Sequence, residues 1–176
     1  MCDAQAELGR DRAAVWTTPR RSPDAGLKAP RARVLLEIPN GADAWTLWRL
    51  LAEAGYAAAW CPGPDRSRDR CCPLVTEGCC PLMDDADVVI SALGPPVEPW
   101  RAVLKSQGLH YPGKPVVVGA SAGDAVRLGP LPIGCRSLHA PLSGGPVLRV
   151  LESALAAAVA SKPAGNASLG WNSTLV

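Results

Sequence analysis

Phenylalanine is absent from the 176 residues, histidine occurs twice, and aromatic residues make up only 5 % of the chain. Alongside an excess of alanine and arginine, the missing phenylalanine reads as codon bias and carries no functional content. Charge of one sign is also scarce. With 18 basic against 16 acidic residues the net charge is +2, and no helix is dense in Lys or Arg, which excludes the electrostatic footprint of a nucleic-acid binder. Long apolar runs are missing too: the best stretch, residues 147–160, is broken by Arg149 and Glu152, short of the roughly 18 residues that cross a bilayer. The first thirty residues hold no continuous apolar segment followed by a cleavage site, so a cytoplasmic chain outside the membrane is expected. What is present is a length near that of one domain and 48 % hydrophobic residues, enough for a single core.

Residues 1–30 carry Pro19, Pro23 and Pro30 around a Thr/Arg/Ser-rich middle, with too little apolar periodicity to offset the entropy of ordering. They are expected to form a disordered basic tail. Seven basic and four acidic residues lie up to position 33, leaving 11 and 12 for the remainder, a mild asymmetry. Residues 161–176, rich in Gly, Ser and Asn, are expected to form a second loose tail.

Between the tails, over residues 31–160, strand and helix patterns alternate. Val34 to Ile38 is a short aliphatic run closed by Pro39-Asn40-Gly41, as expected of a buried parallel strand. A helix follows, N-capped by Asp43, with Ala44, Leu47, Trp48, Leu51 and Ala54 on one face and Gly55 as its stop. Further strands are expected at 57–60, 87–93, 114–119 and 135–138. One helix should start near Pro99 and end before Gly108, and another should run from Gly145-Pro146 to about Ala160. This order predicts an α/β fold, a doubly wound five-stranded parallel sheet of flavodoxin-like order 2-1-3-4-5. Its ligand positions would be the strand ends at 37–41, 91–95 and 119–123.

The Ala54-Gly55-Tyr56 helix end, the Asp87-Val-Val-Ile strand, the Lys114-Pro-Val-Val-Val strand and Leu138-His139-Ala140-Pro141 before the last helix together resemble the receiver domain of bacterial response regulators. The resemblance spans residues 31–160. It implies a pocket of acidic residues after strand one that hold Mg²⁺, a phosphoryl-accepting Asp ending strand three, a Ser or Thr after strand four, and a Lys before the Pro after strand five. On the matching positions the acceptor place falls on Ala92 and the Lys place on Ala140. The acidic pair is reduced to Glu37, with Asn40 beyond it, and the hydroxyl place falls on Ser121. Alanine has no oxygen to phosphorylate, so the resemblance implies an atypical pseudo-receiver.

Two constellations stand outside that frame. Gly119-Ala-Ser121-Ala-Gly123 after a Val-rich strand has the form of a nucleophile elbow, which would make the chain a small serine hydrolase. Such an enzyme needs an acid and then a His later in the chain. Asp124 lies three residues from Ser121, and Glu152 follows His139 in the wrong order. The plainer reading is a turn of small residues.

The segment 61–86 replaces a regular second helix, which Pro73 and Pro81 are expected to prevent. It holds Cys61, Cys71, Cys72, Cys79 and Cys80, with Cys-Cys-Pro-Leu repeated after eight residues. Zinc or an iron–sulfur cluster would use these thiolates, but adjacent cysteines fit a tetrahedral ion poorly; the Cys-Pro dipeptides also allow haem ligation. Disulfides are disfavoured in a reducing compartment, and seven cysteines is an odd number. A redox-sensing dithiol such as Cys72 with Cys80 is a further alternative, beside the plain reading of cysteines as small apolar core residues.

Trp45 falls off the apolar helix face that carries Trp48 and could anchor a dimer or another protein. His110 is expected in a loop. The sequence therefore points to a non-catalytic regulatory domain without a bound cofactor, acting through a protein partner or a homodimer.

Overall fold

Short runs of Val, Leu, Ile and Ala build a sheet whose interior strands are covered on both sides, and this is why they lack a polar alternation. The computed structural model describes Trp16 and residues 29–64, 71–92, 98–120, 135–139 and 144–161. Its strands are β1 (Arg33–Glu37), β2 (Ala57–Cys61), β3 (Val88–Ser91), β4 (Val116–Ala120) and β5 (Cys135–His139). They form one parallel sheet of order β2-β1-β3-β4-β5, the expected topology. The helices among the described residues are α1 (Gly41–Glu53), α2 (Pro73–Thr76), α3 (Pro81–Asp85), α4 (Trp100–His110) and α5 (Gly144–Ser161).

Side-chain alternation along the strands divides the core in two. Val34 and Leu36 of β1, and Ile38 just beyond it, pack toward α1 and α5 with Leu47, Leu51, Val147 and Leu151. Leu35, Ala59, Val89, Val116 and Val118 point the other way, onto Leu74 of α2, Met83 of α3 and Leu104 of α4. Arg31 ties the foot of β1 to α5 through Glu152 at 2.9 Å.

Several boundaries differ from expectation for identifiable reasons. The N-cap of α1 is Asn40 and not Asp43: its side chain accepts from the Ala42 N–H at 3.0 Å and donates to Asp43 at 3.1 Å, so Asp43 sits in the first turn. The helix α4 runs through Gly108 to His110, which therefore ends a helix instead of lying in a loop. In place of a regular second helix the segment holds two short ones of four and five residues. Pro73 and Pro81 each take the first helical turn, where a missing N–H costs nothing, so the Cys-Cys-Pro-Leu repeat becomes a repeated helix start. Trp16, inside the expected tail, is placed half-buried against the α2–α4 side, with its indole N–H 3.3 Å from Asp85 and Arg33 over its ring.

Tight contacts hold this side together. A Cβ on Gly63, whose φ is +75°, would come within 2.2 Å of the Trp100 ring, so only glycine lets α4 begin there. Tyr111 donates to Asp84 at 2.7 Å and accepts from the Cys80 N–H at 3.2 Å, while Lys114 donates to the carbonyls of Met83 and Asp84.

Candidate functional site

Parallel register brings Cys61, Glu37 and Ser91 side by side at the carboxyl ends of β2, β1 and β3. By alternation all three share the face that carries α2, α3 and α4. Glu37 is only 5 % exposed, and Ser91 and Gln107 of α4 are 1 % exposed. The Gln107 Nε2 lies 2.8 and 2.7 Å from the two carboxylate oxygens of Glu37 and donates to them. Among the described residues Gln107 Oε1 is buried with no hydrogen-bond partner, and Ser91 Oγ, which meets no partner in ordinary hydrogen-bond geometry, lies near enough to the Glu37 carboxyl to favour its charged form. Burial pushes the Glu37 carboxyl from 4.5 up to about 7, against the opposing influence of Gln107 and Ser91.

Around this carboxyl stand three free thiols, Cys61, Cys72 and Cys80, each packed against the apolar cluster of this side. Burial is the main reason their acidity is suppressed, with the Glu37 charge adding to it: Cys61 rises to about 12, Cys72 to about 11, and Cys80 also rises. These thiols are therefore poor nucleophiles at neutral pH. Cys79 is free and exposed. Cys71 is disulfide-bonded, which corrects the expectation of reduced cysteines throughout; its partner is none of the four free thiols just named. Among the described residues no group of three or more His, Cys, Asp or Glu is arranged to hold a metal ion.

The positions that the receiver resemblance singles out are only partly assembled. The N–H of Ala92 donates to the Glu37 carbonyl at 2.9 Å, and its methyl packs against the α1/α5 cluster. Asn40 is occupied in capping α1. Ser121 and Ala140 lie outside the described residues, as does most of the Gly-x-Ser-x-Gly motif. The Mg²⁺ that such a pocket implies does not fit the groups present, because the Glu37 carboxyl is buried against Gln107, Asn40 is committed to the helix start, and Ala92 offers no side-chain oxygen.

Gln107 and Ser91 belong to the site and were not anticipated. Their signal was a polar residue in an apolar register: Gln107 follows Val103 and Leu104 on the buried face of α4, and Ser91 ends an otherwise aliphatic strand.

No protein-family model and no curated protein matches the chain by sequence. Solved structures do match. A putative pilus assembly-related protein from Burkholderia pseudomallei is 20 % identical over 71 % of this chain and 90 % of its own, with a TM-score of 0.51. A response regulator receiver protein from Sinorhizobium medicae is 15 % identical over 72 % and 96 %, with a TM-score of 0.51. The signal receiver domain of a putative LuxO repressor from Vibrio parahaemolyticus is 15 % identical over 74 % and 94 %, also at 0.51. At these identities the likeness is one of fold, and the chain carries the receiver-like α/β fold of these proteins.

Proposed function

We propose that the chain is a regulatory domain that acts by protein contact and takes no phosphoryl group. The observation that carries this reading is Ala92 at the end of β3, hydrogen-bonded through its backbone to β1 and offering a methyl group where a receiver would offer a carboxylate. The buried orientation of Glu37 supports it, since a carboxyl facing Gln107 leaves the strand ends without the charge that a phosphoryl donor and its Mg²⁺ require.

Protein contact is supported by an aromatic surface. Trp45 is 59 % exposed and stacks on Trp48 at 4.8 Å, and Trp60, 47 % exposed on the edge strand β2, lies against Gly41 at the start of the same helix.

The test is a backbone amide spectrum recorded with Mg²⁺ and acetyl phosphate added. Signals of Glu37, Asn40 and Ala92 should stay in place. Saturable shifts at these residues would replace this reading with a phosphoryl-responsive one. Trp45→Ser, outside the core, should leave stability within about 0.5 kcal/mol and weaken association in sedimentation, whereas unchanged association would move the contact elsewhere.

A further inference from the structure

A buried carboxylate is normally matched by a cation or by several donors. Glu37 has neither arrangement. Lys114 is spent on the Met83 and Asp84 carbonyls, Arg31 pairs with Glu152 and Arg33 with Asp85, and all three stand toward the amino ends of the strands, away from Glu37 at a carboxyl end. The groups that face the carboxyl are Cys61 from β2, Cys72 and Cys80 from the caps of α2 and α3, Ser91 from β3, and Gln107 from α4. None of them carries a positive charge.

The Gln107 amide meets the carboxyl with only one of its two polar atoms. Its nitrogen bridges both carboxylate oxygens, and its buried oxygen is unpaired. A turn of the terminal amide would set oxygen and nitrogen opposite the two carboxyl oxygens, an exchange that the near equality of amide atoms permits. An ionised carboxylate forbids that arrangement, because two acceptors would then face each other. A neutral carboxyl completes it. Its O–H donates to Gln107 Oε1, the amide N–H donates to the other carboxyl oxygen, and the Ser91 hydroxyl is free to donate to that same oxygen. Adding one proton thus satisfies the buried Gln107 oxygen, while the Ser91 hydroxyl can donate to the carboxyl in either state.

We propose that Glu37 is a buried proton-binding site, in which the neutral carboxyl and the Gln107 side-chain amide form a reciprocal hydrogen-bonded pair that joins β1 to α4. The ligand is one proton per chain. Its loss leaves an uncompensated charge and an unpaired amide oxygen between helix and sheet. This site does not depend on the regulatory reading above, and it would exist whether or not the domain takes a phosphoryl group.

The test is a carbon-13 titration of the glutamate carboxyl signals in the full chain, assigned through the backbone. Glu37 should titrate with a midpoint near 7, well above the ordinary glutamate value of about 4.3, and the Gln107 amide signals should move with the same midpoint. In Glu37→Gln, whose amide can pair reciprocally with Gln107 at any pH, the titrating signal should vanish and stability should become level between pH 5 and pH 8. A Glu37 midpoint below about 5.5, or a Gln107 amide that does not follow it, would overturn the proposal. The wild-type titration decides the matter by itself if Glu37→Gln fails to fold.

Discussion

The two faces of the sheet are built from the same strands but held in different ways. On one, α1 and α5, of 13 and 18 residues, cover a cluster made only of apolar side chains. On the other, two helices of four and five residues and the 11-residue α4 cover a cluster that ends in Glu37, Ser91, Gln107 and three thiols. The first face depends chiefly on burial, which no change of pH alters, with the exposed Arg31–Glu152 pair at its rim. The second buries a titratable group with no cation beside it, so its strength follows the solution. The contrast locates adaptability on the short-helix side and leaves the long helices as scaffold.

The largest effect should come from the scaffold side. Leu51 is fully buried between α1 and the sheet, and Leu51→Ala should cost about 3–5 kcal/mol in denaturant unfolding. That loss should be equal at pH 5 and pH 8. A pH-dependent loss would mean the two faces are not independent.

On the other side, differences between thiols should be of comparable size. Exposed Cys79 should alkylate first. Cys61, whose thiol is pushed from 9.0 to about 12 by burial, should react roughly a thousandfold more slowly than an ordinary thiol until the chain unfolds. Cys71 should label only after reduction. Mass mapping of timed alkylation separates these classes, and equal rates for Cys61 and Cys79 would remove the distinction.

The pH dependence is the next largest effect and has a defined sign. The carboxyl of Glu37 is raised on folding from 4.5 to about 7, so the folded chain holds the proton more tightly than the unfolded one. Stability from this group is therefore full below about pH 4.5 and is lost as pH rises toward 7, by about 3 kcal/mol in all. Chemical denaturation across that range should show the decline in wild type. A rise in stability over the same window would contradict a carboxyl buried without a counter-charge.

The same division explains how much of the molecule was legible in its sequence. Periodicity found α1 because Ala44, Leu47 and Leu51 recur on one face, and it found the interior strands because both of their sides are apolar. It missed the starts of α2 and α3. In the sequence Pro73 and Pro81 argue against one long helix, and only the structure shows each at a first helical turn, where proline begins a helix. The inward turn of Glu37 was not visible, because a carboxyl at a strand end reads equally as a pocket acid. Only the pairing of Glu37 with Ser91 in register, and Gln107 across from it, decides which way the group faces. Trp16 was lost for a related reason: its partners, Asp85 and Arg33, are distant in sequence and invisible to a local pattern.

The proposal that the end of β3 takes no phosphoryl group is tested most directly by intact mass measurement after incubation with acetyl phosphate and Mg²⁺. Wild type should show no added mass, because Ala92 has no side-chain oxygen and Glu37 is turned into the core. A wild-type species heavier by about 80 Da, present without an Ala92→Asp substitution and not increased by it, would contradict the claim and place the acceptor on another acid.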